Sequence, residues 1–218
     1  MDNPAYHVCN QRVHPKYGVE QDAWDFRRWD LAINLVTGDA KKPKGPFEEI
    51  AFGKYFPLDS YLEQSAEYSL VAGGKYHIST RFKYDAVGSG TPLFGLLMVV
   101  AKGNLGEGLG IIYDSTPTRL PSAGLGFAHW NGGGTWWGYT IFSPSDPQLN
   151  EFNCVDVFYS RHDTISIWLN NVEIVHVDKS GDPHPGAGPI KSFIGGSKTA
   201  ANDLSVWMNW GSFGGTTA

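Results

Sequence analysis

Cysteine, cationic runs and long apolar stretches are all scarce in this chain of 218 residues, and each scarcity removes a class of protein. Only two cysteines occur, Cys9 and Cys154, so the chain is no disulfide-dense scaffold. They fit two free thiols in a reducing compartment or one long-range bridge; the expectation is two free thiols. Charged residues make up 18% of the chain, the net charge is −5, and no basic run is present. Nucleic acid is therefore not expected as a partner, because phosphate binding needs clustered Lys and Arg. No apolar run reaches the roughly 18 residues of a membrane-spanning helix, so no membrane partner is expected. The opening residues MDNPAYHVCNQRVHPK lack the apolar core of a signal peptide. That points to a cytoplasmic protein, or to a secreted one already trimmed of its signal. HxH, HExxH and CxxC spacings are missing, which argues against a dedicated zinc site. GxSxG is missing too, so there is no nucleophile elbow. No cofactor is expected, although a calcium site assembled from distant loops stays open.

What the chain has in quantity is glycine, at 27 positions, and aromatic residues, at 14%. Short apolar or alternating runs dominate from residue 66 onward. EYSLVAGG, KYHISTRFKYDA, PLFGLLMVVA, LGIIYDST and GLGFAHW are followed by YTIF, FNCVDVFYS, TISIWL, VEIVHV, FIGG and DLSVWMNW. Gly, Pro, Ser and Asn separate them, and no helical period interrupts them. The pattern predicts an all-β fold, an antiparallel two-sheet β-sandwich. Residues 1–218 read as a single domain whose N-terminal segment, 1–65, is partly loop-rich.

TISIWL and VEIVHV flank Asn170-Asn171, and asparagine tolerates the positive φ of a two-residue hairpin turn. That register pairs Leu169 with Val172, Ile167 with Ile174 and Ile165 with His176 on one face, which makes His176 a residue of the apolar face. This hairpin, the Gly-rich FIGG and the closing DLSVWMNWGSF resemble the end of a concanavalin A-like (laminin G-like) jelly roll. Residues 88–215 are also similar to an uncharacterised bacterial family of cytosolic β-sandwich proteins, through GSGTPLFG and the same late hairpin. The resemblance implies a jelly-roll fold and no catalytic residues. The ExDxE run of laminarinase-like glucanases is absent, as are the RxE, QIH and YFKxGxYxQ boxes of jelly-roll alginate lyases.

The stretch GLGFAHWNGGGTWWGYT (124–140) holds three tryptophans and a histidine around three consecutive glycines. As a hairpin, it places Leu125, Phe127 and His129 on one face and Trp130 on the other. Beyond the turn, Trp137 and Tyr139 share a face opposite Trp136 and Thr140. One of the adjacent indoles, Trp136 or Trp137, should then be core and the other should face a ligand. His129 among aromatics is either a structural histidine or a neutral base, with Tyr113 or Asp114 as its acid partner. In EQDAWDFRRWD (20–30), Trp24 and Trp29 stand beside Asp25, which suits either a sugar site or a salt-bridged edge strand. Glu107 lies alone between glycines, in a cleft or on a solvated turn. In VWMNW, Trp207 and Asn209 share one face, with Val206, Met208 and Trp210 on the other. His162-Asp163 reads as turn chemistry.

Two function classes follow. One is a cofactor-free acid–base enzyme, an isomerase, cyclase or lyase, acting on a ring-containing molecule in an aromatic pocket. Its catalytic candidates are His129, Tyr113, Asp114 and Asp25. The alternative is a lectin-like glycan-binding protein, or a polysaccharide-processing enzyme, that stacks sugars on tryptophan. The ligand-contacting candidates, for either class, are Trp24, Trp29, Glu107, Trp130, Trp136, Trp137, Tyr139, Trp207 and Asn209. The missing signal peptide and glycanase boxes tilt the expectation toward the enzyme. The expected partner is a small-molecule or glycan ligand, and a homodimer is left open.

Overall fold

The computed structural model describes residues 18–26, 32–38, 40–41, 48–50, 53–56, 61–63, 68–70, 74–87, 94–102, 106–160, 164–178, 188–195 and 204–216. The first strands are β1 (Val19–Asp25), β2 (Ala32–Ile33), β3 (Ala40–Lys41), β4 (Glu48–Ile50), β5 (Gly53–Phe56), β6 (Tyr61–Glu63) and β7 (Tyr68–Leu70). Longer ones follow: β8 (Lys75–Val87), β9 (Phe94–Ala101), β10 (Gly108–Asp114), β11 (Gly124–Trp130) and β12 (Trp136–Phe142). The last are β13 (Asn153–Ser160), β14 (Thr164–Leu169), β15 (Val172–Asp178), β16 (Gly188–Gly195) and β17 (Leu204–Gly215). A 3-10 turn, Pro147–Asn150, is capped by the Asp146 carboxylate, which accepts from Gln148 N.

Apart from the small β2–β3 pair, the strands build two antiparallel sheets. The first runs β15-β14-β13-β8-β17-β5-β4, with β1 also on β17; the second runs β12-β11-β10-β9-β16-β6, with β7 also on β16. This is the expected all-β, antiparallel two-sheet sandwich. Alternation along each strand sends every second side chain into the space between the sheets. Ile78, Phe82 and Tyr84 of β8 point inward, as do Val155, Val157 and Tyr159 of β13. Leu109, Ile111 and Tyr113 of β10 meet them from the second sheet, with Leu125 and Phe127 of β11. A second apolar cluster lies on the outer face of the second sheet, where Val99, Ala101, Ile112, Ala128, Trp130 and Phe193 gather under Leu120.

The β14–β15 hairpin turns as expected, with Asn170 at φ 49° and Asn171 at φ 69°. Leu169 pairs with Val172, but a bulge then shifts the register, so that Ile167 meets Val175 and Ser166 meets His176. The expected apolar position of His176 is thereby corrected. One extra residue on β15 turns it to the outer face, where its side chain is 57% exposed and 2.9 Å from the Glu173 carboxylate. A second bulge, between Met208 and Trp210, likewise moves Trp210 off the face that Val206 and Met208 share. Trp210 instead stands opposite Arg81.

Cys154 is buried, as its alternating strand implies, but it is disulfide-bonded. The expectation of free thiols is corrected at this residue; Cys9, the only other cysteine in the sequence, lies outside the described residues. Thiol titration of the unfolded, unreduced protein should find no reactive thiol, and two would contradict the bridge. His162-Asp163 also falls outside the described residues.

Candidate functional site

The tryptophan-rich hairpin of residues 124–140 folds as alternation requires. Trp130 pairs with Trp136 and His129 with Trp137 across β11 and β12. The turn between them is tight: Gly134 N donates to Asn131 O at 3.1 Å, and Gly133 N donates to the Asn131 side-chain oxygen at 3.1 Å. Trp130 and Trp136 stack on the outer face with centroids 4.2 Å apart and planes 20° from parallel. Trp130 is 1% exposed and lies across Gly108, where an added Cβ would fall 2.6 Å from its indole. Trp136 is half-buried above it. The expectation that one of the adjacent indoles is core is corrected here. Trp136 and Trp137 do take opposite faces, yet both are half-buried, because β12 is the edge strand of its sheet. The hairpin's fully buried indole is Trp130.

A loop covers this stack, and Asp114 holds the loop. The Asp114 carboxylate is wholly buried and accepts from Thr116 N, Thr116 Oγ1, Thr118 Oγ1 and Arg119 N at 2.9–3.1 Å. Arg119 Nη1 stands 3.5 Å from the same carboxylate. The far end of the loop is latched by Thr140, whose Oγ1 donates to Ser122 O and accepts from Ser122 N. Between these anchors the Arg119 guanidinium lies 5.4 Å from the Trp136 ring centroid, a cation–π contact. The backbone of Arg119 passes so close to Gly138 that any β-carbon there would collide with its carbonyl oxygen. Beside Trp130, the β9–β10 turn is closed by Lys102 N donating to Glu107 O and by a 2.8 Å Lys102–Glu107 ion pair. Trp130, Trp136, Glu107, Arg119 and Lys102 thus converge at one end of the outer face. Of these, Arg119 and Lys102 escaped the sequence reading. Nothing local marks them, since the loop and the neighbouring turn bring them in.

His129 is on the inner face and fully buried. It stacks on Trp137 at 5.7 Å and lies 5.3 Å from the Tyr159 ring and 6.1 Å from Phe127. Tyr139 packs against the same core. The acid–base set proposed around His129 does not assemble. Tyr113 pairs with Leu125, while Leu109 pairs with His129, so Tyr113 and His129 stand four residues apart along the strands, roughly 13 Å. Asp114 points to the opposite face and serves its loop. Asp25, on β1, belongs to the other sheet.

The remaining candidates scatter. Trp24 is 1% exposed in the inter-sheet core, which closes it to a ligand. Asn209 is buried in the bulge of β17, and its carbonyl accepts from Phe26 N at 3.0 Å. Trp207 is half-buried, paired with Lys83 and Tyr55 in the first sheet. Trp29 lies outside the described residues. Among the described residues no group of three or more His, Cys, Asp or Glu side chains is placed to hold a metal ion.

Burial raises the Tyr113 phenol above its ordinary pKa, and the Asp114 carboxylate adds to the rise. The folded protein therefore holds this proton more tightly than the unfolded chain. That stability is complete below the unfolded value of about 10 and is lost as pH climbs from there through the folded value. Tyr113→Phe should flatten the alkaline fall of the denaturation midpoint; an unchanged slope would assign it to other groups.

No protein-family model matches the chain, and no curated protein matches it in sequence. Solved structures do share its shape. The receptor binding domain of botulinum neurotoxin D aligns with a TM-score of 0.64 at 7% identity, over 91% of this chain and 50% of that one. A structure of botulinum neurotoxin type C, whose cell entry depends on interaction with two ganglioside molecules, aligns with a TM-score of 0.58 at 12% identity, over 89% of this chain and 47% of that one. The binding domain of botulinum neurotoxin DC in complex with rat synaptotagmin II gives 0.57 at 14% identity, over 89% and 47%. The chain spans about half the length of these domains, and at such identities the likeness establishes the β-sandwich fold.

Proposed function

We propose that this chain is a lectin-like glycan-binding module rather than an acid–base enzyme. The observation that carries the reading is the half-buried Trp136, stacked on Trp130 beneath with the Arg119 guanidinium over its ring, which leaves its outer edge to a ligand beside the Lys102–Glu107 pair on the adjoining turn. A sugar presents an apolar C–H face that packs on an indole, and hydroxyls that bond best to charged donors and acceptors. An indole fixed before binding loses little rotamer freedom when the ligand arrives. An isomerase, cyclase or lyase would need paired titratable groups, and His129, Tyr113, Asp114 and Asp25 are dispersed. The toxin receptor-binding domains, one of them from a toxin that interacts with gangliosides, offer a precedent for the same fold in recognition.

A glycan array followed by calorimetry on the best ligand tests the reading. Trp136→Ala should weaken binding at least about tenfold, as expected for a central aromatic contact. An array without a hit, or a Trp136→Ala protein that binds like the parent, would overturn it.

A further inference from the structure

We propose that the outer face of the β14–β15 hairpin is a second ligand site, built for a neutral sugar ring around Trp168. In a regular strand Glu173 and His176, three residues apart, would point to opposite faces. The bulge places both on the same face as Trp168 and Ser166, since Trp168 pairs with Glu173 and Ser166 with His176. Bulges commonly re-aim a side chain in this way.

The four side chains form one chain of hydrogen bonds. Trp168 Nε1 donates to Ser166 Oγ at 2.7 Å, Ser166 Oγ donates to Glu173 Oε1, and His176 Nδ1 lies 2.9 Å from that same oxygen. The arrangement is not core packing: the Glu173 side chain is 36% exposed and that of His176 57% exposed. An exposed pair of this kind adds little stability and costs side-chain entropy to hold. What it does achieve is orientation. The indole is locked by its own N–H, and a carboxylate and an imidazole are fixed beside it. That set suits a ring whose C–H face lies on Trp168 while its hydroxyls reach Glu173 and His176. The carboxylate disfavours an anionic ligand, which makes a neutral sugar the matching class.

The site lies on a different sheet from Trp136 and does not rest on that reading. The chain has eight tryptophans, so two-dimensional NMR of the indole N–H groups can follow each ring separately. The probes are methyl glycosides of glucose, galactose, mannose and N-acetylglucosamine, titrated to millimolar concentrations. We expect the Trp168 signal to shift with at least one of them, in the parent protein and equally in Trp136→Ala. Glu173→Gln, at an exposed position, should melt like the parent and bind roughly tenfold more weakly, as for loss of a charged acceptor. A Trp168 signal that stays still with every glycoside overturns the proposal, and so does unchanged affinity in Glu173→Gln. If Trp136 responds while Trp168 does not, the first site stands alone; if neither responds, the Trp168 site fails and the Trp136 reading is decided by the glycan array.

Discussion

Trp130→Ala should cost about 3–5 kcal/mol in denaturant unfolding, the range for truncating a large buried aromatic. Trp130 is 1% exposed, stacks on Trp136 and lies directly over Gly108, so its removal opens a hole that the rigid strands β10 and β11 cannot close. Trp136→Ala should cost clearly less, about 1–2 kcal/mol, because part of that ring already faces water and the cation–π contact with Arg119 contributes about 1 kcal/mol. Binding should show the reverse ranking at equal folded fraction. Trp136 is the contact surface and Trp130 is its support, so a leucine at 130, which keeps much of the bulk, should retain measurable affinity where alanine at 136 does not. Equal stability losses at the two positions would mean that Trp136 is core, and that the glycan surface lies elsewhere.

Asp114→Ala should cost about 3 kcal/mol, although it removes only a small side chain. The carboxylate is wholly buried and gathers four hydrogen bonds from residues 116–119, with the Arg119 guanidinium beside it. Deleting it leaves the Thr116 and Arg119 amides without their acceptor, a larger loss than any single hydrogen bond gained. Asp114→Asn keeps an acceptor oxygen but not the charge, and should fall about midway. Both variants should also weaken glycan binding roughly tenfold, because the loop no longer delivers Arg119 to Trp136. Asp114 is thus a positioning residue. A protein carrying Asp114→Asn that loses stability and keeps full affinity would show that the Arg119 contact plays no part in recognition.

Much of this was legible locally. Alternation in GLGFAHW and WWGYT fixed which rings share a face, and the structure reproduces every face assignment in that hairpin. The Asn170-Asn171 turn was equally plain, because positive φ is a property of single residues. The two misplaced faces, at His176 and Trp210, share one cause. His176 and Trp210 were assigned by counting along unbroken ladders, and one extra residue in each strand reversed the count. A bulge is set by what the neighbouring strand and opposite sheet accommodate, so a strand read alone carries no mark of it.

The sequence by itself determined the fold class, the hairpins and the faces of most aromatic residues, since these depend on the period-two geometry of each strand. Only the tertiary structure decided which of those faces is a site. It made β12 an edge, so that Trp136 and Trp137 are both half-buried. It folded a loop held by Asp114 over the outer face, turning a supposed acid into an anchor and bringing in Arg119. It also separated His129 from Tyr113 and Asp25. Each outcome depends on which strands become neighbours and what lies across them, and those contacts join residues too far apart in the chain for any local pattern to record.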